Sequence, residues 1–540
     1  IYNLIRKEVL VMPKNNEANF GKYFNLPNPG LESYFDRVRV GNSDEYRTTF
    51  YKGMDVQKVL KMWMPSLDKL ENEWSGLFKF ENDLAKKVGP LSIQKPLKDR
   101  MEDIDSYYDS ILLESKPILK SSLDKVVQEW GSLRGLQPRS QQRTVDLMKK
   151  STNSGSPFFT KRRAVVDKTI PVRLRNLGVN TEMLLNDSHQ WLATAVLGWR
   201  GQEGGPTDDD VKQRVVWMFP FGVNIEELTI YQPAIEIAQK NMLVPAWVSM
   251  EAVDERITKL FDTKGKKDLV ICTDFTKFDQ HFNSDMQDGA RYILSRLLNT
   301  SSESRYWLEE VFPVKYNLPL AYDFGKVRLG KHGMGSGSGG TNFDETLTHR
   351  ALQYECAMLK NQRLNPNSQC LGDDGILSFP GITEEDVMRS YPSHGQEMNA
   401  SKQESSTHEC TYLRRWHDEN FRINGVCVGV YATSRALGRL CEQERYYDPE
   451  VWGPKMVALR QLSIIENCKY HPLRDEFLQF CMKGDKYRLG LDIPGFLDNI
   501  QTLADEANDL MPDFLGYTKS MQKTVGLNDW WVVKALKSLR

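Results

Sequence analysis

Cysteine is missing from the first 271 residues, and the eight that follow, at 272, 356, 370, 410, 427, 441, 468 and 481, never fall at C-x-x-C spacing. A zinc ribbon or a disulfide framework is therefore not expected; buried, reduced thiols are. Histidine is equally sparse, with eight residues and no H-x-x-x-H pair. No apolar run approaches the roughly 18 residues of a membrane span, so a soluble globular chain without a membrane partner is expected. The opening Ile1-Tyr2-Asn3-Leu4-Ile5-Arg6 has only a brief apolar patch and no small-residue cleavage pattern, which argues against a secretory signal. Net charge is only −1. That excludes a protein that coats RNA non-specifically, but not one that encloses nucleic acid in a basic interior. Repeats and low-complexity tracts are also absent.

What is present is length: 540 residues, 40% of them hydrophobic and 26% charged, enough for a large core and three or four domain-sized units. Basic clusters at Lys161-Arg162-Arg163, Lys212 with Arg214, Lys264 with Lys266 and Lys267, and Arg414-Arg415 are offset by acidic runs at Asp208-Asp209-Asp210 and Glu384-Glu385-Asp386. Taken singly, each cluster reads as a solvated face. Val56, Val59, Leu60 and Trp63, then Leu123, Val126, Val127 and Trp130, follow helical spacing, so the first 150 residues are expected to be mostly α. Gly/Ser-rich Ser151 to Ser156 and the stretch Gly201 to Asp210 read as loops. Residues 268 to 273, Asp-Leu-Val-Ile-Cys-Thr, form a short apolar run bounded by charge, the pattern of a buried strand. After the glycine-rich segment 333 to 340, Phe343, Leu347, Ala351, Tyr354 and Met358 mark one helical face. Trp452, Met456, Leu459, Leu462 and Ile465 mark another. The fold class expected is α+β, a small sheet flanked by many helices.

Gly372-Asp373-Asp374-Gly375 alone is an ordinary tight turn, because Gly and Asp tolerate the backbone angles of hairpins. Its significance comes from Asp274, which ends the predicted strand about one hundred residues earlier. Polynucleotide synthesis needs one divalent ion to activate a 3′-hydroxyl and a second to hold the leaving pyrophosphate. Carboxylates from different strands meeting at one point supply that arrangement. Mg²⁺ takes hard oxygen ligands and keeps several waters, so two or three Asp suffice without His or Cys.

At this point the chain resembles the RNA-dependent RNA polymerases of viruses. Asp274-x-x-x-x-Asp279 resembles their motif A, Gly333 to Asn342 motif B and Gly372-Asp373-Asp374 motif C, in the family's order. Lys212-Gln213-Arg214-Val215-Val216-Trp217 resembles motif F, and Thr152-Asn153-Ser154-Gly155-Ser156-Pro157-Phe158 resembles motif G. Lys402 stands where motif D carries its lysine, and Tyr412-Leu413-Arg414-Arg415 resembles motif E. The combination is most similar to small double-stranded-RNA viruses, picobirnaviruses first and partitiviruses second.

The resemblance implies a closed right hand with a small antiparallel palm sheet. Its expected parts are an extension over 1–65 bridging fingers and thumb, fingers over 66–260, palm over 261–299, a fingers insertion over 300–330, palm again over 331–425, and thumb and tail over 426–540. It implies two ions, Mg²⁺ or Mn²⁺, on Asp274, Asp373 and Asp374, and Lys402 as proton donor to pyrophosphate. Asp279, Lys212, Arg214, Ser336, Gly337, Thr341 and Asn342 would meet the nucleotide; Ser154, Gly155, Lys161, Arg162, Arg163, Arg414 and Arg415 would meet RNA. A carboxylate at 279 selects a ribose 2′-hydroxyl, where reverse transcriptases carry a bulky aromatic. The motif B position that often carries its Asn partner holds Glu345, with Asn342 and Asp344 nearby, which leaves the partner open. Implied partners are template and product RNA, ribonucleoside triphosphates and, as a further candidate, viral capsid protein, in the virion interior and host cytoplasm. Two other readings compete. A silent RNA-binding scaffold would not need the three aspartates, and a two-metal nuclease would not need motifs B and F. The pair Trp530-Trp531 reads either as a stacking platform for primer-independent initiation or as packing in a thumb helix.

Overall fold

A computed structural model describes residues 20–186, 189–399, 401, 403–510 and 526–540. The helices follow the apolar periodicity. Helix Val56–Trp63 buries Val56, Val59, Leu60 and Trp63, and Asp55 caps it by accepting from the Gln57 N–H at 2.7 Å. Helix Lys120–Glu129 buries Leu123, Val126 and Val127. Helix Pro449–Glu466 carries Met456, Leu459, Leu462 and Ile465 inward after a break at Gly453, whose φ of 79° precedes Pro454.

A four-stranded antiparallel sheet forms the centre, in the order Gln369–Leu371, Asp374–Leu377, Val270–Thr273, Glu404–Ser406. The predicted strand is found at Val270–Thr273 and is buried at all four positions. Helix Thr341–Met358 backs this sheet. Its Gln353 Nε2 donates to the carbonyls of Gln369 at 2.9 Å and Ile376 at 3.3 Å. The sequence pattern shows one apolar face, whereas the structure buries nearly the whole circumference. The polar side is neutralised by distant partners: Arg350 pairs with Glu129 at 2.7 Å and Glu355 with His394 at 2.5 Å.

A second four-stranded sheet runs Lys212–Met218, Ala195–Gln202, Leu320–Asp323, Lys326–Arg328. Its long pair keeps register from Val196 opposite Met218 to Gln202 opposite Lys212. Residues 320–328, inserted between strand Val270–Thr273 and the glycine-rich loop, thus join the sheet of residues 195–218.

Buried apolar residues fall into three clusters. The largest surrounds the central sheet. A C-terminal cluster joins Phe50, Val59, Trp63, Leu67, Leu77 and Val88 to residues between Trp416 and Leu536. The third seats Phe20, Phe24, Leu31 and Phe35 against Val196, Ala321 and Val327 of the second sheet. The N-terminal segment therefore straddles two bodies, and its C-terminal footing reaches Val88, beyond residue 65. The ring is closed directly as well. Glu203, just after strand Ala195–Gln202, accepts from Arg435 Nε at 2.9 and 3.1 Å, and Glu444 accepts from the Gly201 N–H at 3.1 Å. Among the described residues no helix is long and apolar enough to cross a membrane.

Candidate active site

Strands Gln369–Leu371 and Asp374–Leu377 are joined by Gly372 and Asp373, with Gly372 at φ 57°, the positive angle this position of a two-residue hairpin demands. Thr273 pairs with Gly375 across the sheet, so the chain leaves that last pair with Asp274 on one side and Asp374 on the other. Asp274 is exposed, and its backbone exchanges bonds with the Gln403 amide at 3.1 and 2.9 Å. Asp374 accepts from the Leu413 N–H at 2.8 Å, which ties it to the turn between strands Glu409–Tyr412 and Arg415–Asp418. The hairpin turn is held from beneath by helix Thr341–Met358. Thr346 Oγ1 accepts from the Gly372 N–H at 2.9 Å, and His349 Nδ1 lies 2.8 Å from the Gly372 carbonyl. Burial pushes the His349 imidazole down to about 4, so it stays neutral and donates that bond.

The electrostatics of the cleft are those of crowded carboxylates. Asp373 keeps a solvent-open edge although protein surrounds its other sides. Burial first, then the Asp279 charge, raise its pKa against the pull of Arg214. Burial and the neighbouring Asp373 lift Asp374 to about 7. Glu345 is buried and hydrogen-bonded to Asp279; burial and the Asp279 charge hold its carboxyl far above the usual range, so the pair shares the Glu345 proton. Asp344 is not that partner. It lies 3.0 Å from Lys315 and accepts from the hydroxyls of Tyr231 at 2.8 Å and Tyr316 at 2.7 Å. Asn342 instead accepts from the Trp247 indole at 2.8 Å.

Lys212 and Arg214 occupy alternate exposed positions of strand Lys212–Met218, on one side of it. Burial opposes the Arg214 charge, and Asp279 and Asp373 outweigh it, so the guanidinium faces the aspartates. The glycine-rich loop lies behind this strand. Ser336 Oγ accepts from the Trp217 N–H at 3.2 Å, and a Cβ on Gly337 would sit 1.7 Å from the Trp217 carbonyl. Thr341 Oγ1 lies 3.2 Å from the Gly335 and Ser338 carbonyls and closes the loop on itself. Its hydroxyl and that of Ser336 are therefore engaged by the protein.

The remaining expected RNA contacts divide. Lys161, Arg163 and Arg414 are exposed. Ser154 and Gly155 are buried in their loop, where Ser154 Oγ accepts from the Thr160 N–H at 3.2 Å. Arg162 is half-buried over the Phe221 ring at 5.1 Å and donates to Asn224 Oδ1 at 3.1 Å. Arg415 turns inward to Asp254 at 2.7 Å and is not brought to the cleft, because a buried carboxylate demands it. Lys402 lies outside the described residues. Thr346 and His349 are not signalled by the sequence motifs, whereas Glu345 is one of the three candidates left open there. Only their three- and four-residue spacing after the loop could have signalled that they share a face under the hairpin.

The donor set at 274, 373 and 374 is all carboxylate oxygen, and burial first, then neighbouring carboxylates, raise the pKa values of Asp373 and Asp374. Those residues fit Mg²⁺ or Mn²⁺. Their oxygens do not all lie within 4.8 Å of one another. The group that does, among the described residues, is His408, Glu409 and Asp418. There His408 Nδ1 meets Asp418 at 3.0 Å and Glu409 accepts from the Trp416 indole at 2.9 Å.

The sequence model of the family described as viral RNA-dependent RNA polymerase matches residues 119–424. A human picobirnavirus protein described as a potential RNA-dependent RNA polymerase is 59% identical over 529 residues, covering 96% of this chain and 99% of the relative. The crystal structure of the RNA-dependent RNA polymerase of a human picobirnavirus superposes with a TM-score of 0.93 at 58% identity, over 98% of this chain and 100% of the other. An insertion-loop deletion mutant of that kind of enzyme gives 0.91 at 57% identity, with 98% and 100% covered.

Proposed function

The chain belongs to the viral RNA-dependent RNA polymerases, and we propose that it copies RNA into RNA by a two-metal-ion transfer at Asp274 and Asp373, with Asp374 as auxiliary ligand. One observation carries this reading: the register pair Thr273 with Gly375, beyond which the three carboxylates end one sheet edge, with Arg214 facing Asp373 and Asp279. When bound, two divalent ions supply charge stabilisation for the attacking oxygen and the leaving pyrophosphate. The chain's own groups do the rest. Arg214 and Lys212 meet the triphosphate from the opposite strand and stabilise the charge it develops. Asp279 accepts from the ribose 2′-hydroxyl with one carboxylate oxygen, while the Glu345 proton occupies the other. Lys402 serves as proton donor to pyrophosphate.

In this reading residues 261–299 and 331–425 are the palm and 66–260 with 300–330 the fingers. The thumb is 426–540, and the bridging segment is 1–65, with Leu67, Leu77 and Val88 of the stretch that follows packed on the same C-terminal core. Lys161, Arg163 and Arg414 meet RNA phosphates. The motif combination supports a double-stranded RNA genome, copied in the virion interior and host cytoplasm in contact with capsid protein. The test is the dependence of ribonucleotide incorporation on divalent ion. The parent is expected to need Mg²⁺ or Mn²⁺ with more than first-order dependence, and Asp274→Asn to require far more ion for any product. Metal-independent incorporation, or Asp274→Asn indistinguishable from the parent, would refute the assignment.

A further inference from the structure

The glycine-rich loop Ser336 to Gly340 is fastened on both sides by the segment that carries Arg214. Ser336 holds to the strand itself, through Trp217. The other side is held by a single buried carboxylate, Glu227, on helix Phe221–Lys240, which follows that strand after two residues. Glu227 Oε1 accepts from the Gly339 N–H at 3.1 Å, and Oε2 accepts from the Ser338 hydroxyl. Asn224, one turn earlier, donates to Glu227 at 3.0 Å and to the Gly337 carbonyl at 3.1 Å. Its own carbonyl oxygen accepts from Arg162 at 3.1 Å, so the line runs from the basic segment 161–163 to the loop.

This arrangement is not what a helix interior requires. Burying a carboxylate is costly, and burial does raise the Glu227 pKa, with Lys315 and the loop donors working against it. Two of its donors, Gly339 N–H and the Ser338 hydroxyl, come from the loop, and the third, Asn224, itself holds the loop's Gly337 carbonyl. Gly337, Gly339 and Gly340 bring no side chains to the loop and allow backbone to lie directly on Trp217, Leu228 and Tyr231, so it is held through its backbone and its two serines. A glycine loop lacking such a hold would sample many conformations.

We infer that Glu227 is a positioning residue for nucleotide binding: it sets the conformation of the Ser336 to Gly340 loop and, through Asn224, couples that loop to Arg162. The inference rests on the reading of this loop as nucleotide-facing. It predicts a defect in nucleotide capture with the chemical step preserved.

The experiment is steady-state ribonucleotide incorporation on a primed RNA template by the full chain, with thermal melting of each variant. Glu227→Ala is expected to raise the ribonucleotide KM about tenfold while kcat stays within about threefold. Glu227→Gln, which retains an acceptor for Gly339 and a polar contact for Ser338, should stay near the parent. Ser338→Ala removes the same bond from the loop side without opening space under the helix, so it carries the test should Glu227→Ala fail to fold. It should raise KM in the same direction, and the double variant should be no worse than Glu227→Ala alone. Folded variants with parental KM, a loss confined to kcat, or additive effects in the double variant would overturn the inference while leaving the polymerase reading intact. A parent that incorporates nothing, as inert as Asp373→Ala, would overturn both.

Discussion

Glu345 illustrates what decides a role at the scale of one residue. It shares a helix with Asn342 and Asp344, and sequence alone offers all three as partners for Asp279. Tertiary contacts separate them: Trp247 takes Asn342, Lys315 with two tyrosines takes Asp344, and Glu345 is left beside Asp279. Glu345→Gln keeps a donor for Asp279 and should preserve the preference for ribonucleotides over 2′-deoxyribonucleotides. Glu345→Leu removes it and should erode that preference about tenfold to a hundredfold, the effect of one hydrogen bond to a charged group. The ratio of kcat/KM for UTP and its 2′-deoxy analogue reads this. Arg414 and Arg415 make the same point with opposite fates, since adjacent arginines look alike in sequence. Arg415→Ala strands Asp254 and should lower stability by about 3–5 kcal/mol. Arg414→Ala should leave the melting temperature unchanged and reduce the salt dependence of RNA binding. Denaturant titration and binding at several salt concentrations separate the two.

Elements were legible where burial is periodic. The strand before Asp274 and the helix after the glycine-rich loop both lie where apolar spacing indicates, because one face or run must leave water. What spacing does not carry is burial of polar faces. Helix Thr341–Met358 is interior on nearly every side because Glu129 and His394, far away in the chain, neutralise Arg350 and Glu355. At the start of helix Trp531–Lys537 the tryptophan pair is half-buried against the C-terminal cluster. Val532, Val533 and Leu536 are buried, and the Glu466 carboxylate accepts from the N–H groups of Trp531 and Val532 at 2.9 Å each. Glu466→Ala should therefore cost about 1–3 kcal/mol of stability, measured by urea unfolding. Trp531→Ala should leave primer-independent initiation unchanged, and loss of initiation without loss of folding would restore the stacking role.

At the scale of the whole molecule, near-zero net charge is met by basic groups directed at an acidic cleft and by a ring closed twice. The N-terminal segment closes it once, and Glu203 with Arg435 closes it again. Sequence patterns do not reveal which core receives helix Ser75–Ala85, because they show only its apolar face. The bridge carries a titratable contact. Glu442 is fully buried, and burial, then Glu45, raise its carboxyl to about 9, opposed by Arg47. A carboxyl raised in the fold contributes stability below its ordinary value of about 4.5 and loses it as pH climbs through about 9. The melting temperature should thus fall from about pH 5 to about pH 9 and level off above it, and Glu442→Gln should flatten that fall. An unchanged slope would contradict it. Templated RNA synthesis at the 274–373–374 edge is tested by incorporation of labelled ribonucleotides on a single-stranded RNA template with Mg²⁺ or Mn²⁺, parent against Asp373→Ala. Template-length product is expected from the parent and none from the variant. Product of equal yield from Asp373→Ala, or RNA binding without incorporation by the parent under either ion, would contradict it.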